Sequence, residues 1–207
     1  MTVGKSAAAD SFPAGVNATG GANVINEEAA LDREPPERVP GGPAFRGRIP
    51  RIASFSMTTV FSSPDELLGA VGQHLGVSEW IAIEQDRIDQ FAEATGDHQW
   101  IHVDPVAAAD GPFGATIAHG YLTLALTNQL LPEIMQVESV SMGINYGTNK
   151  VRFPQPVTVG SRVRATASIT EAEEIKGGVQ VVVTIAVEIE DQAKPACVVE
   201  SVSRFLR

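Results

Sequence analysis

The plainest pattern in the chain is a period-two alternation toward its C-terminus. In 161–171, Val163, Ala165, Ala167 and Ile169 alternate with Arg162, Arg164, Thr166 and Ser168, and in 178–190 Val179, Val181, Val183, Ile185, Val187 and Ile189 share one face. Alternation of this kind marks strands covered by a core on one side. Segments 139–153 and 195–206 complete a set of four, separated by Pro154-Gln155-Pro156, Gly177-Gly178 and Asp191-Gln192. These links are too short to hold a crossover helix, so the sheet they predict is antiparallel.

Helical spacing lies upstream. From Gly120 to Leu131 nearly every residue is apolar or small, which predicts a helix buried on all sides and wrapped by the strands. Glu84 to Thr95 repeats Ile88, Phe91 and Ala92 at helical spacing until Gly96 stops it. Ser63, Pro64, Asp65 and Glu66 read as an N-cap, a first-turn proline and first-turn acids leading into a short helix over LLGAVGQHL, with His74 on its surface. Trp80 to Ile83 reads as a brief strand. Residues 97–116 form a loop or short helical excursion broken by Asp104-Pro105, Gly111-Pro112 and Gly114. The class is α+β, an antiparallel sheet around one long helix.

Residues 1–56 differ from the rest, holding six of the thirteen prolines and no sustained period. Such a segment buries too little apolar surface to offset its ordering entropy and is expected to be a disordered tail preceding a domain over 57–207. A binding arm built on residues 33–50, or Met57 as the natural start, are the alternatives. Charge sharpens the division: the net charge is −10, and all the excess acid lies in 57–207, with nine basic and nineteen acidic residues. A surface this acidic repels phosphate backbones, so no nucleic-acid partner is expected, and a polyanionic ligand needs a local basic patch. Lys150, Arg152, Arg162 and Arg164 are the one cluster available; either two strands align them toward the phosphates of a ligand, or they are solvated outer positions of strands. The single Cys197 excludes an intramolecular disulfide and a thiolate metal cluster. With no apolar leader and no apolar run of spanning length, a cytoplasmic protein without a membrane partner is expected.

The reactive side chains concentrate in Thr95-Gly96-Asp97-His98-Gln99-Trp100-Ile101-His102-Val103-Asp104-Pro105. A polar loop is the plain reading. The chemical one is that a folded-back loop points Asp97 and His102 at one substrate atom, since a carboxylate and an imidazole beside one water suffice for general acid–base work. No His-x-x-x-His or Glu-x-x-x-His pair lies on a helix, so no metal is expected, and no glycine-rich phosphate loop suggests a nucleotide cofactor; the expected cofactor is none.

The same residues resemble the MaoC-like dehydratases, the family of (R)-specific enoyl-CoA hydratases. The match runs through Gly96, Asp97, His102 and Asp104-Pro105, continues in Ala118-His119-Gly120, and ends in Val151 to Val157 leading to Gly160, covering roughly residues 75–207. Gln99-Trp100 departs from the usual Asn-Pro and is closer to the nodulation-protein-N-like branch; Asn128 stands where several hydratases carry a Ser near the catalytic acid. The resemblance implies a hot-dog fold paired into a homodimer and an acyl-CoA or acyl-carrier-protein thioester as substrate. It implies that Asp97 and His102 hold and deprotonate a water that adds to C3 of a trans-2-enoyl thioester, giving a (3R)-hydroxyacyl product, or run the reverse dehydration. Negative charge then develops on the thioester oxygen. Gly120, at the start of a buried helix, has an unpaired N–H at the positive end of the dipole and no side chain to block approach, although close helix–sheet packing would require a glycine equally well. His119 either supports that donor or makes a structural hydrogen bond; His98 is expected to face solvent. The competing readings are a non-catalytic hot-dog subunit that binds acyl thioesters, and a thioesterase.

Overall fold

The computed structural model describes residues 58–207; the tail expected over 1–56 lies outside the described residues. The chain order is β1 (Thr59–Phe61), a 3₁₀ turn (Pro64–Gly69), β2 (His74–Val77), β3 (Ile81–Ala82), α1 (Gln85–Thr95), α2 (Trp100–Val103), α3 (Pro105–Ala109), α4 (Gly120–Ala125), α5 (Thr127–Ile134), β4 (Met135–Val137), β5 (Met142–Arg152), β6 (Arg162–Ile175), β7 (Gly178–Ile189) and β8 (Cys197–Leu206).

The main sheet is antiparallel in the order β2-β6-β7-β8-β5, with β3 also paired to β6. The alternating residues behave as their pattern requires. Val163, Ala165 and Ile169 of β6 and Val179, Val181, Val183, Ile185 and Val187 of β7 are fully buried, and Leu122, Leu126, Leu130 and Ile134 of α4 and α5 join the same core. Those four helix residues are spaced by four, which keeps them on one stripe facing the sheet. This is the hot-dog arrangement. Cys197 opens β8 at full burial, which pushes its thiol up to about 11.

Four expectations change. The helix expected after Ser63 is a 3₁₀ turn that ends at Gly69, without a side-chain cap bond from Ser63. Gly72 turns at φ +87, and the chain then pairs with β6, so His74 lies on a strand and not on a helix. The central helix is divided at Leu126 into α4 and α5, and it is not buried all round. Tyr121, Ala125, Asn128 and Gln129 are exposed, because among the described residues the main sheet covers one side only. Finally, β1 and β4, neither legible in the hydrophobic pattern, form a small parallel pair. No helix among the described residues is long and apolar enough to cross a membrane.

Candidate active site

The segment after α1 is shaped by local chemistry. Gly96 ends α1 in the left-handed conformation, φ +76, where a side chain would be strained, and its N–H closes on the Ala92 carbonyl. Asp97 follows at once, half-exposed. Its carboxylate accepts a long bond from the Gln99 N–H at 3.4 Å, the local i to i+2 pattern of an Asp-led turn. Asp104 caps α3 by accepting from the Val106 and Ala107 N–H groups, each at 3.0 Å, and Pro105 starts that helix where its missing N–H costs nothing. Of the two readings of 97–116, the short helical excursion holds, as two helices, and α2 carries His102 inward.

His102 is 7% exposed, and its Nδ1 lies 2.7 Å from the Ile117 carbonyl. A carbonyl only accepts, so Nδ1 carries the proton and Nε2 presents a lone pair. Burial, the largest influence, lowers the pKa; the Ile117 carbonyl and Asp97 oppose this and His119 adds to it. The ring is thus held neutral and basic at Nε2 near pH 7. A residue that the hydrophobic pattern gives no reason to notice supports it from behind: Gln85, the first residue of α1, donates to the His102 backbone carbonyl at 2.7 Å and accepts from the buried Thr116 hydroxyl. Its only sequence signal is its place at the start of a helix.

His119 is 3% exposed and stacks on His102 with ring centroids 3.7 Å apart and an interplanar angle of 24°. Its Nε2 donates to the backbone carbonyl of Asp97 at 2.9 Å. Donor atoms of Asp97, His102 and His119 lie within 4.8 Å of one another. Proximity alone would suit a metal, but the geometry does not: nearly parallel imidazoles aim their in-plane lone pairs side by side and not at one point, and one nitrogen of each ring is already bonded. A carboxylate beside a basic imidazole nitrogen can instead hold and polarise a water.

Gly120 is the first residue of α4, capped by His119 without a side-chain bond. A Cβ there would sit 3.1 Å from Phe153 Cδ2, so the packing reason for a glycine holds. Gly120, His102, Thr123 and Phe153 also line a cavity of about 290 Å³. A second cavity, about 380 Å³, runs along the open face of α4 and α5 from Tyr121 to Asn128, with Phe91 and Thr95 on one side and Thr148 and Ser201 of the sheet on the other. Asn128 lies at this second cavity, bonded to Asn145 at 3.2 Å.

The four cations are not brought together. Arg162 and Arg164 pair with Glu190 and Glu188 at 2.9 and 2.8 Å and lie against Trp80. Lys150 and Arg152 are on β5, with β8 and β7 between them and β6, about 14 Å away at ordinary strand spacing. The picture of two strands aligning all four is thereby corrected. His98 is 48% exposed, with a ring nitrogen 3.7 Å from Glu93.

A family profile described as the MaoC like domain matches residues 66–191. The chain belongs to that family. It is a hydro-lyase of the hydratase and dehydratase type. It is 54% identical over 147 residues to 3-hydroxyacyl-thioester dehydratase Z of Mycobacterium tuberculosis, spanning 70% of this chain and 97% of that protein. It is 47% identical over 130 residues to nodulation protein N of Rhizobium leguminosarum bv. viciae, spanning 61% and 80%. Among solved structures it is similar to an (R)-hydratase from A. caviae, with a TM-score of 0.53 and 26% identity over 64% of this chain and 94% of that one.

Proposed function

We propose that the chain adds water to trans-2-enoyl-CoA on one face to give the (3R)-3-hydroxyacyl thioester, and runs the reverse dehydration. The observation that supports this most is that Asp97 and His102 bring polar atoms within 4.8 Å of each other, while His102 shares a cavity with Gly120, the first residue of α4. In this reading a water held between Asp97 and His102 gives a proton to Nε2. Its oxygen bonds to C3, the C2–C3 π pair moves toward C1, and the thioester oxygen takes up the charge beside the Gly120 N–H. The proton then passes from the dyad to C2 on the same face, so atoms and charge balance. A helix N-terminus is suited to the developing charge, and a missing oxyanion donor costs about 3–4 kcal/mol.

The thioester itself is suggested by the name of the mycobacterial relative, which acts on 3-hydroxyacyl thioesters. The reaction occupies the cavity at His102 and Gly120, and the acyl chain lies in the groove from Tyr121 to Asn128, a span of about 10 Å at helical rise. Of the four cations, Lys150 and Arg152, which have no carboxylate partner among the described residues, remain for CoA phosphates.

The working form is a homodimer. β5 is an edge strand paired only with β8 among the described residues, and Met142, Tyr146, Tyr121 and Phe153 are exposed on or near it. The buried, unpaired Cys197 fits a cytoplasmic location.

The test is loss of enoyl absorbance with crotonyl-CoA and then longer trans-2-enoyl-CoAs, followed by chiral analysis of the product. Saturable hydration to the 3R isomer supports the reading. Release of free CoA thiol would make the protein a thioesterase, and binding without turnover would make it an acyl-thioester binding subunit.

A further inference from the structure

Three side chains, and not two, meet at the site, and the third has no role in the chemistry above. His119 is the N-cap of α4, a position whose side chain ordinarily accepts a hydrogen bond from its own helix. Here it makes no such bond. The ring is turned away, and its Nε2 donates to the Asp97 backbone carbonyl at 2.9 Å. That bond fixes the tautomer: Nε2 holds the proton and Nδ1 is left a bare acceptor, fully buried and without a hydrogen-bond partner. A buried unpartnered acceptor is costly, so the orientation is set by what the ring holds and not by its own satisfaction.

What it holds is the dyad. One contact fixes the backbone from which the Asp97 carboxylate springs; another is the stack on His102 at 3.7 Å; a third is the tilted contact with Phe91 of α1 at 5.0 Å. The Asp97 carboxylate itself is 4.0 Å from His119 Nε2, beyond hydrogen-bond range, and therefore remains available to a water. We propose that His119 is a positioning residue that sets the distance and orientation of the Asp97 carboxylate relative to His102 without touching substrate. This rests on the dyad reading above. Misplacing a reacting group by about 1 Å can cost on the order of 10²-fold in rate, so the contribution is measurable.

The experiment separates the donor from the ring. His119→Phe keeps an aromatic ring against His102 and removes the donor; His119→Gln removes the ring and keeps an amide N–H able to reach the Asp97 carbonyl. With both variants confirmed as folded by circular dichroism, His119→Phe should lower kcat on the order of 10- to 100-fold with KM within about threefold, and His119→Gln should recover a substantial part of kcat. The groups facing the His102 ring are His119, Asp97 and the Ile117 carbonyl, and His119 lowers its basicity. His119→Phe keeps a ring over His102 while removing that influence, and should therefore move the acid limb of the kcat/KM profile to higher pH, a shift that does not come from exposing His102. Parent-like kcat in His119→Phe, or equal loss in both variants, would overturn the proposal.

A measurement on the unmutated protein covers the case in which a variant does not fold. Ring ¹⁵N NMR of the four histidines at pH 8 should find one Nδ1–H tautomer, His102, and one Nε2–H tautomer, His119, in the buried pair. An Nδ1–H tautomer at His119 could not donate to Asp97 and would refute the role whatever the activity. Failure of the dyad reading is distinguishable, because it appears as an inactive parent.

Discussion

Replacing Gly120 by Ala separates the two reasons for a glycine at that position. The added Cβ would lie 3.1 Å from Phe153 Cδ2 and 3.2 Å from Cε2 and Cγ, a few tenths of an ångström inside ordinary van der Waals contact. The obstacle is a ring at the surface, 43% exposed, and not backbone, so it can tilt away. Against that displacement stands the helix preference of Ala over Gly, worth up to about 1 kcal/mol. The net change in stability should therefore stay within about 1 kcal/mol of zero, a few degrees in melting temperature. Activity should respond very differently. In the proposed reaction the methyl group would stand in the path of the thioester to the Gly120 N–H, and losing the use of such a donor lowers kcat about 10²- to 10³-fold. Thermal melts and enoyl-CoA kinetics on the same preparation read both quantities. Phe153→Leu combined with Gly120→Ala relieves the ring contact and should not restore the rate. Near-parent turnover in Gly120→Ala, or recovery in the double variant, would show that the glycine serves packing alone and that the oxyanion is held elsewhere.

The acid limb of the kcat/KM profile should fall below the ordinary histidine value of about 6.5, since burial lowers the His102 pKa and the neutral ring is the working form. The same shift makes the native state resist a proton that the unfolded chain accepts, so stability should decline as pH falls from about 6.5; a midpoint flat from pH 7 to 5 in urea titrations would contradict it. Asn145→Leu replaces the amide at the far end of the α4–α5 groove and should move chain-length preference toward longer saturated tails, read as the ratio of kcat/KM across a series. Deletion of residues 1–56 should leave melting temperature and turnover nearly unchanged, the family match beginning at residue 66. Sedimentation at micromolar concentration should give a dimer, and a monomer alone would oppose the edge-strand pairing.

The sheet was legible because β6 and β7 each bury one face against a single core, so alternation in Val163 to Ile169 and Val179 to Ile189 carries the whole instruction. The short elements were not. β2 forms because Gly72 turns the chain and β6 offers a free edge, facts of tertiary pairing that HLGV does not contain. The central helix was over-read for a related reason: Tyr121, Ala125 and Asn128 are compatible with burial, and among the described residues no second layer covers them. At the site, Asp97 and His102 stood out by residue type and spacing, and the structure brings them together. Gln85 and the orientation of His119 could not be seen, because each acts through a backbone carbonyl distant in sequence, and any residue supplies one. The four cations failed as a group for the complementary reason: charge is visible in the sequence, but the Glu190 and Glu188 partners are set by cross-strand register.

The proposed chemistry requires that one water be activated jointly by Asp97 and His102. Its most direct test is a double-variant cycle on hydration of trans-2-enoyl-CoA, with folding of each protein confirmed by circular dichroism. Asp97→Asn and His102→Ala should each remove about 10²- to 10⁴-fold of the rate, and the double variant should be little worse than the poorer single one, because either loss already disables the shared step. His98→Ala, at the surface two residues earlier than Trp100, should keep most of the parent rate. Folded dyad variants with near-parent rates, or two losses that multiply in the double variant, would contradict joint action on a single water.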